Sequence, residues 1–316
     1  MEIIRPGINL DFVGKMKPFA LLSGALVVVS FLLIVVRGFN YGIDFSGGSL
    51  LQLHFQKEMT VEQVRDVLRT IDLAESEIQR SEKDGDFLLR IPSSDEPLEQ
   101  IRMRVVGAFQ QEVGEQGVEL RQIEQVGPKV GRDLSRKALL AVIWSALGIL
   151  VYIWWRFGFR LEFALAVVIA DIHDVLLTLG LFAITGKEVT LTVLAAVLTV
   201  AGYSVNDSIV VLDRVRENLR ARPRDQLDRV VNASLNETLS RTFLTGGSVL
   251  FTLLALMVFG GDVLGDFALA LLVGVIAGTY SSIFVVAPVV LYWPWNVSRR
   301  VRQRPQPSKT PPARTR

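Results

Sequence analysis

The chain has 316 residues, half of them hydrophobic, a formal net charge of +2 and no cysteine. This composition is too apolar for an ordinary soluble domain and indicates several membrane spans together with some soluble mass. It excludes disulfides, zinc–thiolate sites and iron–sulfur clusters, and the two histidines, His54 and His173, form no metal-ligand pattern. No metal and no cofactor are therefore expected.

Six apolar segments are long enough to cross a bilayer as helices, because about 20 residues suffice. They lie at residues 19–36, 138–155, 161–184, 189–212, 243–260 and 266–292. The first apolar run is too long for a signal peptide and is not followed by a small-residue cleavage site. We therefore expect it to remain as an uncleaved anchor.

Basic residues cluster in alternate connections between these segments, which indicates the orientation of the chain. The positive-inside rule puts the N-terminal residues 1–18, the loop 213–242 and the basic tail 293–316 in the cytoplasm, and residues 37–137 outside. The Pro, Arg, Thr and Ser content of the tail predicts disorder, with contact to anionic membrane lipids as a weaker interpretation. The same rule explains the basic clusters more simply than nucleic-acid binding.

Residues 37–137 alternate between strand and helix patterns. The predicted strands are Leu50–Phe55, Glu77–Arg80, Phe87–Ile91 and Val118–Val126, and the predicted helices are Thr60–Ile71 and Asp95–Val113. The order β-α-β-β-α-β predicts a ferredoxin-like α+β domain inserted between the first two of six transmembrane helices. Its acids and bases are interspersed as on a solvated surface, so no catalytic site and no enzyme activity are expected.

Asp207 lies inside the predicted fourth span and is followed by a further apolar run, Ile209–Leu212. An acid within hydrocarbon costs about 2.5–3.5 kcal/mol, and such acids usually mark ion or proton paths. Tyr203 shares its helix face, and Asn206 and Ser208 add polar groups beside it. The alternative is that Asp207 only joins this helix to a neighbour through hydrogen bonds.

Arg241 and Thr242 begin the predicted fifth span, on the same cytoplasmic side as Asp207. Arg241 could pair with Asp207 across adjacent helices. From spacing alone it is at least as well explained as a positive-inside residue whose side chain reaches the membrane surface.

Asp171 and Asp174 lie three residues apart on one face of the predicted third span, with Thr178 on the same stripe. Two acids at this depth indicate a hydrated interior, and the alternative is that they hydrogen-bond to each other with one kept protonated. His173 points about 100° away from Asp174, so we expect it to pack rather than to relay protons.

No nucleotide-binding motif is present, since Gly180–Lys187 has the wrong spacing for a phosphate-binding loop. The remaining energy source is the transmembrane gradient, worth about 2.3 kcal/mol per charge per 100 mV. The coupling ion is expected to be the proton, although the sequence does not distinguish H⁺ from Na⁺.

Four stretches are specific enough to indicate a family: Phe39–Ser49, with the pattern G-I-D-F-S-G-G after Tyr41, Val126–Gly131, Gly202–Asn218 and Ser240–Thr242. Together they resemble the SecF family of bacterial protein-export subunits, which belongs to the resistance-nodulation-division superfamily. The resemblance implies a partner, SecD, and association with the SecYEG channel and SecA in the cytoplasmic (inner) membrane. It also implies that the proton-motive force helps to draw preproteins out of the channel.

The resemblance also implies roles for individual residues. The acid at Asp207 and the arginine at Arg241 match proton-path residues that act with an acid of SecD, and Asp174 matches the third-span pattern of the family. As a hypothesis, helix movement reaches the external domain through glycines that permit backbone bending: Gly42, Gly47, Gly48, Gly127 and Gly131.

Two other functions are compatible with the sequence. A half-transporter for a lipid or a drug would need a roomy apolar pocket in the external domain. A scaffold subunit without proton conduction would need only packing faces, such as the small residues Ala270, Gly274 and Gly278.

Overall fold

The computed structural model describes residues 9–81, 85–94 and 96–293, with the side chains of 262 and 263 left out. The predicted basic tail, apart from Trp293, and the first eight residues of the predicted N-terminal segment lie outside these residues.

Six helices in the described part of the chain are long and apolar enough to cross a membrane, which confirms the predicted number of spans. They are α1 (Phe12–Arg37), α5 (Pro128–Arg156), α6 (Leu161–Thr185), α7 (Leu191–Ala221), α8 (Leu227–Phe259) and the span Leu264–Tyr292. The last span is built from α9 (Gly261–Ser281), a π-helical segment Ser282–Val286 and α10 (Ala287–Tyr292). The chain is therefore a multi-pass membrane protein.

The six spans differ in how much protein surrounds them. α1 and α5 expose rows of large apolar side chains, such as Leu21, Val36 and Trp144, as expected for helices in contact with lipid. α6, α7 and the sixth span are largely buried by their neighbours. These three helices form the interior of the membrane bundle.

Between α1 and α5 the chain forms a four-stranded antiparallel sheet with the order β3-β4-β2-β5. The strands are β2 (Gly48–Phe55), β3 (Glu77–Arg80), β4 (Asp86–Ile91) and β5 (Val118–Val126). Helices α3 (Val61–Thr70) and α4 (Leu98–Val113) pack on one face, over a core that includes Leu51, Phe55, Phe87 and Phe109. This strand order confirms the predicted ferredoxin-like fold.

The helices of this domain begin at recognisable signals. α3 starts with the predicted capping box, in which the Thr60 hydroxyl and the Gln63 amide each bond the other residue's backbone N–H. α4 begins at Leu98, later than the predicted start at Asp95, which lies outside the described residues.

The segment 213–242 is mostly helical, which corrects its prediction as a loop. α7 continues to Ala221 and α8 begins at Leu227, so only residues 222–226 lie between them. Apolar residues in these extensions keep helical spacing and pack against Met16 near the start of α1; they include Val215, Val231 and Leu235. This apolar cluster stabilises the extensions of both helices.

The glycine-rich element between α1 and the sheet contains a two-residue strand, β1 (Asn40–Tyr41), and a single helical turn, α2 (Ile43–Ser46). Gly47 and Gly48 follow with φ angles of +73° and +126°, which residues with a side chain rarely adopt. A Cβ atom at Gly48 would lie 2.5 Å from the carbonyl oxygen of Ile91. The element is therefore closely packed against the sheet.

The other proposed hinge glycines divide into two kinds. A Cβ atom at Gly42 would lie 2.9 Å from the Thr190 side chain, and one at Gly131 would lie 3.1 Å from the backbone of Gly47, whereas Gly127 has open space around it. Close packing thus explains four of the five glycines, and bending at this junction stays a prediction.

Gly48→Ala should lower the stability of the external domain by more than about 1 kcal/mol, because alanine fits neither the φ angle nor the space. Gly107→Ala is the matched control, since a Cβ atom there contacts nothing within 4 Å and the residue lies inside α4. It should stabilise the domain by about 0.5–1 kcal/mol. Thermal unfolding of the purified protein in detergent measures both, and equal effects would contradict the packing explanation.

Candidate functional site

A cluster of buried polar side chains lies where α6, α7, α8 and the sixth span meet. Its members, none more than 7% exposed, are Asp171, His173, Asp174, Ser204, Asp207, Ser208, Thr242, Ser281 and Ser282. Five of these residues were predicted as site residues from the acids and the polar groups beside them in the third to fifth spans. The structure adds Ser204, Ser281, Ser282 and His173.

Asp174 is fully buried and has a hydrogen-bond partner on each carboxylate oxygen. Its Oδ2 accepts bonds from Ser204 Oγ (2.6 Å) on α7 and from Ser281 Oγ (2.8 Å) at the end of α9. Its Oδ1 lies 2.9 Å from Nδ1 of His173. This carboxylate therefore links three helices.

His173 both packs and contacts the acid beside it, so the prediction that it would turn away from Asp174 was wrong. Its ring stacks on Tyr280, with 6.0 Å between ring centroids. The imidazole is long enough to fold back along the helix, which the helical angle between neighbouring residues does not prevent. Tyr280 in turn bonds to Ser23 Oγ and to the Phe19 carbonyl, both at 2.8 Å, which extends the polar contacts to α1.

Asp207 is buried but only half partnered. Its Oδ1 accepts a 2.7 Å bond from Thr242 Oγ1, whereas its Oδ2 has no partner in the described part of the chain. Ser282 lies beside this carboxylate, although its hydroxyl donates to the Thr279 carbonyl at 3.0 Å. Rotation of one hydroxyl would change the bonding of Asp207.

Arg241 does not form an ion pair with Asp207 among the residues that the structure describes. Its side chain is exposed, while Thr242, the next residue of α8, faces the acid. Adjacent residues of a helix point about 100° apart, so only one of the two can face α7. In this conformation the structure favours the alternative interpretation, in which Arg241 lies at the surface of the bundle.

The other predicted site residues lie around this pair of acids. Asn206 is exposed and Tyr203 is half buried beside Thr245, whereas Ser208 is buried and its hydroxyl has no partner in the described ranges. Asp171 is buried, its Oδ1 has no partner, and no hydrogen bond joins it to Asp174 in the part described.

Helix geometry brings two of these unpaired groups to one level of the membrane. Asp171 lies about one turn from Asp174, and Ser208 lies one turn from Ser204, which bonds to Asp174. Because α6 and α7 are consecutive spans that run antiparallel, these steps bring Asp171 and Ser208 to the same level.

Ser281 and Ser282 are adjacent residues that face different acids. Ser281 bonds to Asp174, and Ser282 lies beside Asp207, at the point where α9 passes into the five-residue π-helical segment. Such segments are rare and often lie at functional sites. In the sequence, the only sign of these residues is a pair of hydroxyls within an apolar span.

The arrangement suits proton uptake and release. Asp174 is saturated with hydrogen bonds, so its role in this conformation is to join helices. Among the described residues, Asp207 and Asp171 each keep a buried carboxylate oxygen without a partner, and a proton bound there would neutralise a charge that no donor compensates.

Comparisons with known proteins agree with the motifs. The family model described as "Protein export membrane protein SecD/SecF, C-terminal" matches residues 105–295, and "SecD/SecF GG Motif" matches residues 32–59. Over 293 residues the chain is 40% identical to protein translocase subunit SecF of Calditerrivibrio nitroreducens, covering 92% of this chain and 96% of that relative. The chain belongs to the SecF family.

Other members of the SecF family are similarly close. The SecF subunit of Magnetococcus marinus is 43% identical over 294 residues, covering 92% of this chain and 94% of that relative. The crystal structure of SecDF, a translocon-associated membrane protein from Thermus thermophilus, matches with a TM-score of 0.81 and 36% identity. The match covers 91% of this chain but 39% of that one, so this chain spans about two fifths of the solved SecDF chain.

Asp174→Asn should destabilise the protein by about 1–3 kcal/mol, because an amide nitrogen cannot accept the bonds that the carboxylate oxygen in its place receives. Asp171→Asn, one turn away, removes an oxygen without a partner and should cost clearly less. Thermal unfolding in detergent measures both variants. Equal losses would show that Asp174 does not hold the three helices together.

Proposed function

We propose that the chain works with SecD as a proton-driven subunit of the protein-export machinery in the bacterial cytoplasmic membrane. With SecYEG and SecA it would draw preproteins out of the channel, with both of its termini in the cytoplasm. The observation that carries the proposal is Asp207, a buried carboxylate in a membrane span of a SecF-family chain, with one oxygen that has no partner among the described residues.

In the proposed cycle Asp207 takes up a proton on its free oxygen and releases it to the other side when the helices rearrange. Thr242 holds the other oxygen at 2.7 Å and keeps the carboxylate oriented. Arg241, one residue away, is exposed here, and we propose that it reaches ionised Asp207 in another conformation of α7 and α8. Asp171, whose Oδ1 also has no partner among the described residues, would be a second proton-binding residue on the path.

A proton path beside Asp207 must be enclosed on its open side by a further helix. Two polar stripes on the surface of this chain support the binding of a partner helix at that side. α7 exposes Thr192, Ala195, Thr199, Gly202 and Asn206, and α8 exposes Arg241, Thr245, Ser248 and Thr252. Spacings of three and four residues put each set on one helix face. Small and polar side chains within spans favour helix–helix contact over lipid, unlike the apolar rows of α1.

The proposed partner for this surface is SecD. This surface lies beside Asp207, because Asn206 is the residue immediately before it in the sequence. The partner would therefore complete the site with an acid of its own. The solved SecDF chain of Thermus thermophilus, described as translocon-associated, extends well beyond the part that this chain matches. We propose that SecD supplies the corresponding remainder here.

The two alternative functions have less support. The external domain has a groove of about 630 Å³ lined by Gln56, Lys57 and residues 113–117, which is polar and open rather than the apolar pocket that a lipid or drug would need. The small residues suggested for a scaffold contact are used within the chain. A Cβ atom at Gly274 would lie 2.2 Å from Val200 of α7, and one at Gly278 would lie 3.0 Å from Ser204.

Asp207→Asn should abolish proton flux and proton-dependent late export while the complex with SecD still assembles, because the amide cannot change its charge. Asp213→Asn is the control, since Asp213 lies six residues further along α7 and pairs with Arg156 at 2.7 Å near the helix end. Both activities are measured in vesicles that contain SecD and the Sec channel. Normal export by the Asp207 variant at normal complex levels would disprove the proposal.

The partner surface is tested by cysteine cross-linking, which is simple because the chain has no cysteine of its own. Thr199→Cys or Asn206→Cys should form disulfides with cysteines introduced along the spans of SecD. Leu21→Cys, which is 76% exposed on α1, should not. Cross-linking from α1 alone would place the partner on the wrong side of the bundle.

A further inference from the structure

The outer end of α7 is joined to the segment that leads into the external sheet. A short strand before α7, β6 (Glu188–Val189), pairs in parallel with β1, so that Asn40 lies opposite Glu188 and Tyr41 opposite Val189. The Gly42 N–H donates to the Val189 carbonyl at 2.9 Å. The two segments therefore move as one hydrogen-bonded unit.

Asp44 attaches α2 to the first turn of α7. Its Oδ2 accepts the backbone N–H of Leu191 at 2.8 Å, one of the helix-terminal donors that lack a partner within the helix. A carboxylate at this end is also favoured by the helix dipole. Phe45, the next residue, packs with Val189 and Val193. Only Gly47 separates α2 from β2, the strand between β4 and β5 in the sheet.

Arg90 makes a second attachment from β4. One guanidinium nitrogen, Nη1, lies 2.9 Å from Asn40 Oδ1, 3.1 Å from the Tyr41 carbonyl and 3.0 Å from Glu77 Oε2. The other, Nη2, forms an ion pair with Glu188, and the side chain is only 12% exposed. One arginine of the sheet thus holds both strands of the β1–β6 pair.

We propose that Asp44 and Arg90 are positioning residues that transmit movement of α7 to the external domain, an inference that rests on the proposed proton-driven function. Asp207 lies sixteen residues after Leu191 on the same unbroken helix, a distance of about 24 Å along its axis. A shift of α7 at Asp207 therefore displaces its outer end, and with it Asp44 and β2. Because the junction glycines are closely packed, the displacement passes to the sheet.

Asp44→Ala tests the first attachment with two readouts in vesicles that contain SecD and the Sec channel. Proton flux through the complex should persist, whereas proton-dependent export should fall at least tenfold. This result would mean that proton flux is no longer coupled to export. Asp44→Asn should retain most export, because asparagine also accepts a helix-terminal N–H. Asp133→Ala, a change of an exposed acid outside the attachment, should leave both activities unchanged.

Glu188→Gln tests the second attachment without emptying space around Arg90, and it should reduce export more than proton flux. A direct readout is the distance between spin labels at Gln79, exposed on β3, and Ile184, at the end of α6. In the otherwise unchanged protein, the distribution of this label-to-label distance should stay narrow when a proton gradient is applied. In the Asp44→Ala variant the distribution should broaden.

The outcomes separate this inference from the proposed function. Export that is unaffected by Asp44→Ala, or proton flux lost in parallel with export at normal complex levels, would overturn the transmission role. An unchanged label distance in that variant would overturn it as well. If Asp207→Asn leaves proton flux intact, the proposed function itself fails, whatever the Asp44 variants do.

Discussion

The membrane bundle depends on one buried carboxylate that three helices share. Asp174 on α6 accepts hydroxyl bonds from α7 and from the end of α9 on Oδ2, and its Oδ1 lies 2.9 Å from His173 Nδ1, so both oxygens have a partner. A buried acid is costly unless it is hydrogen-bonded, and these bonds exist only when the three helices are in register. The small residues Gly274 and Gly278 let α9 approach α7 closely enough for this contact.

Asp174 and Asp207 differ in how completely their carboxylate oxygens are hydrogen-bonded. Both lie in the same buried cluster, and both are acids within membrane spans. One has every oxygen bonded, and the other keeps an oxygen without a partner in the described residues. The burial of an acid in a span therefore does not distinguish these two residues, whereas the number of their hydrogen-bond partners does.

Local patterns in the sequence predicted much of the fold. Strands β3 and β5 and the capping box at Thr60 were found where alternation and helix-start signals put them. Helices α7 and α8 were predicted too short, because their extensions bury apolar residues against the start of α1. Hydropathy alone does not detect such extensions.

The candidate site was predicted less completely, because its contacts join residues that are far apart in the chain. Asp207, Asp171 and Asp174 were evident as acids in apolar spans. Ser204 and Ser281 were not, since serine is common in membrane helices and becomes informative only when its acceptor is known. The bond from Leu191 to Asp44 spans 147 residues and has no local signature at all.

The π-helical segment in span six gives the bundle a discrete alternative geometry. A π turn holds about one residue more than an α turn, so its conversion to α-helix rotates the helix beyond it by about 100° and shifts it by about 1.5 Å. Ser282 begins this segment. A change of register there would therefore switch the helix between two positions. It would move the Ser282 hydroxyl toward or away from Asp207 without bending the helix.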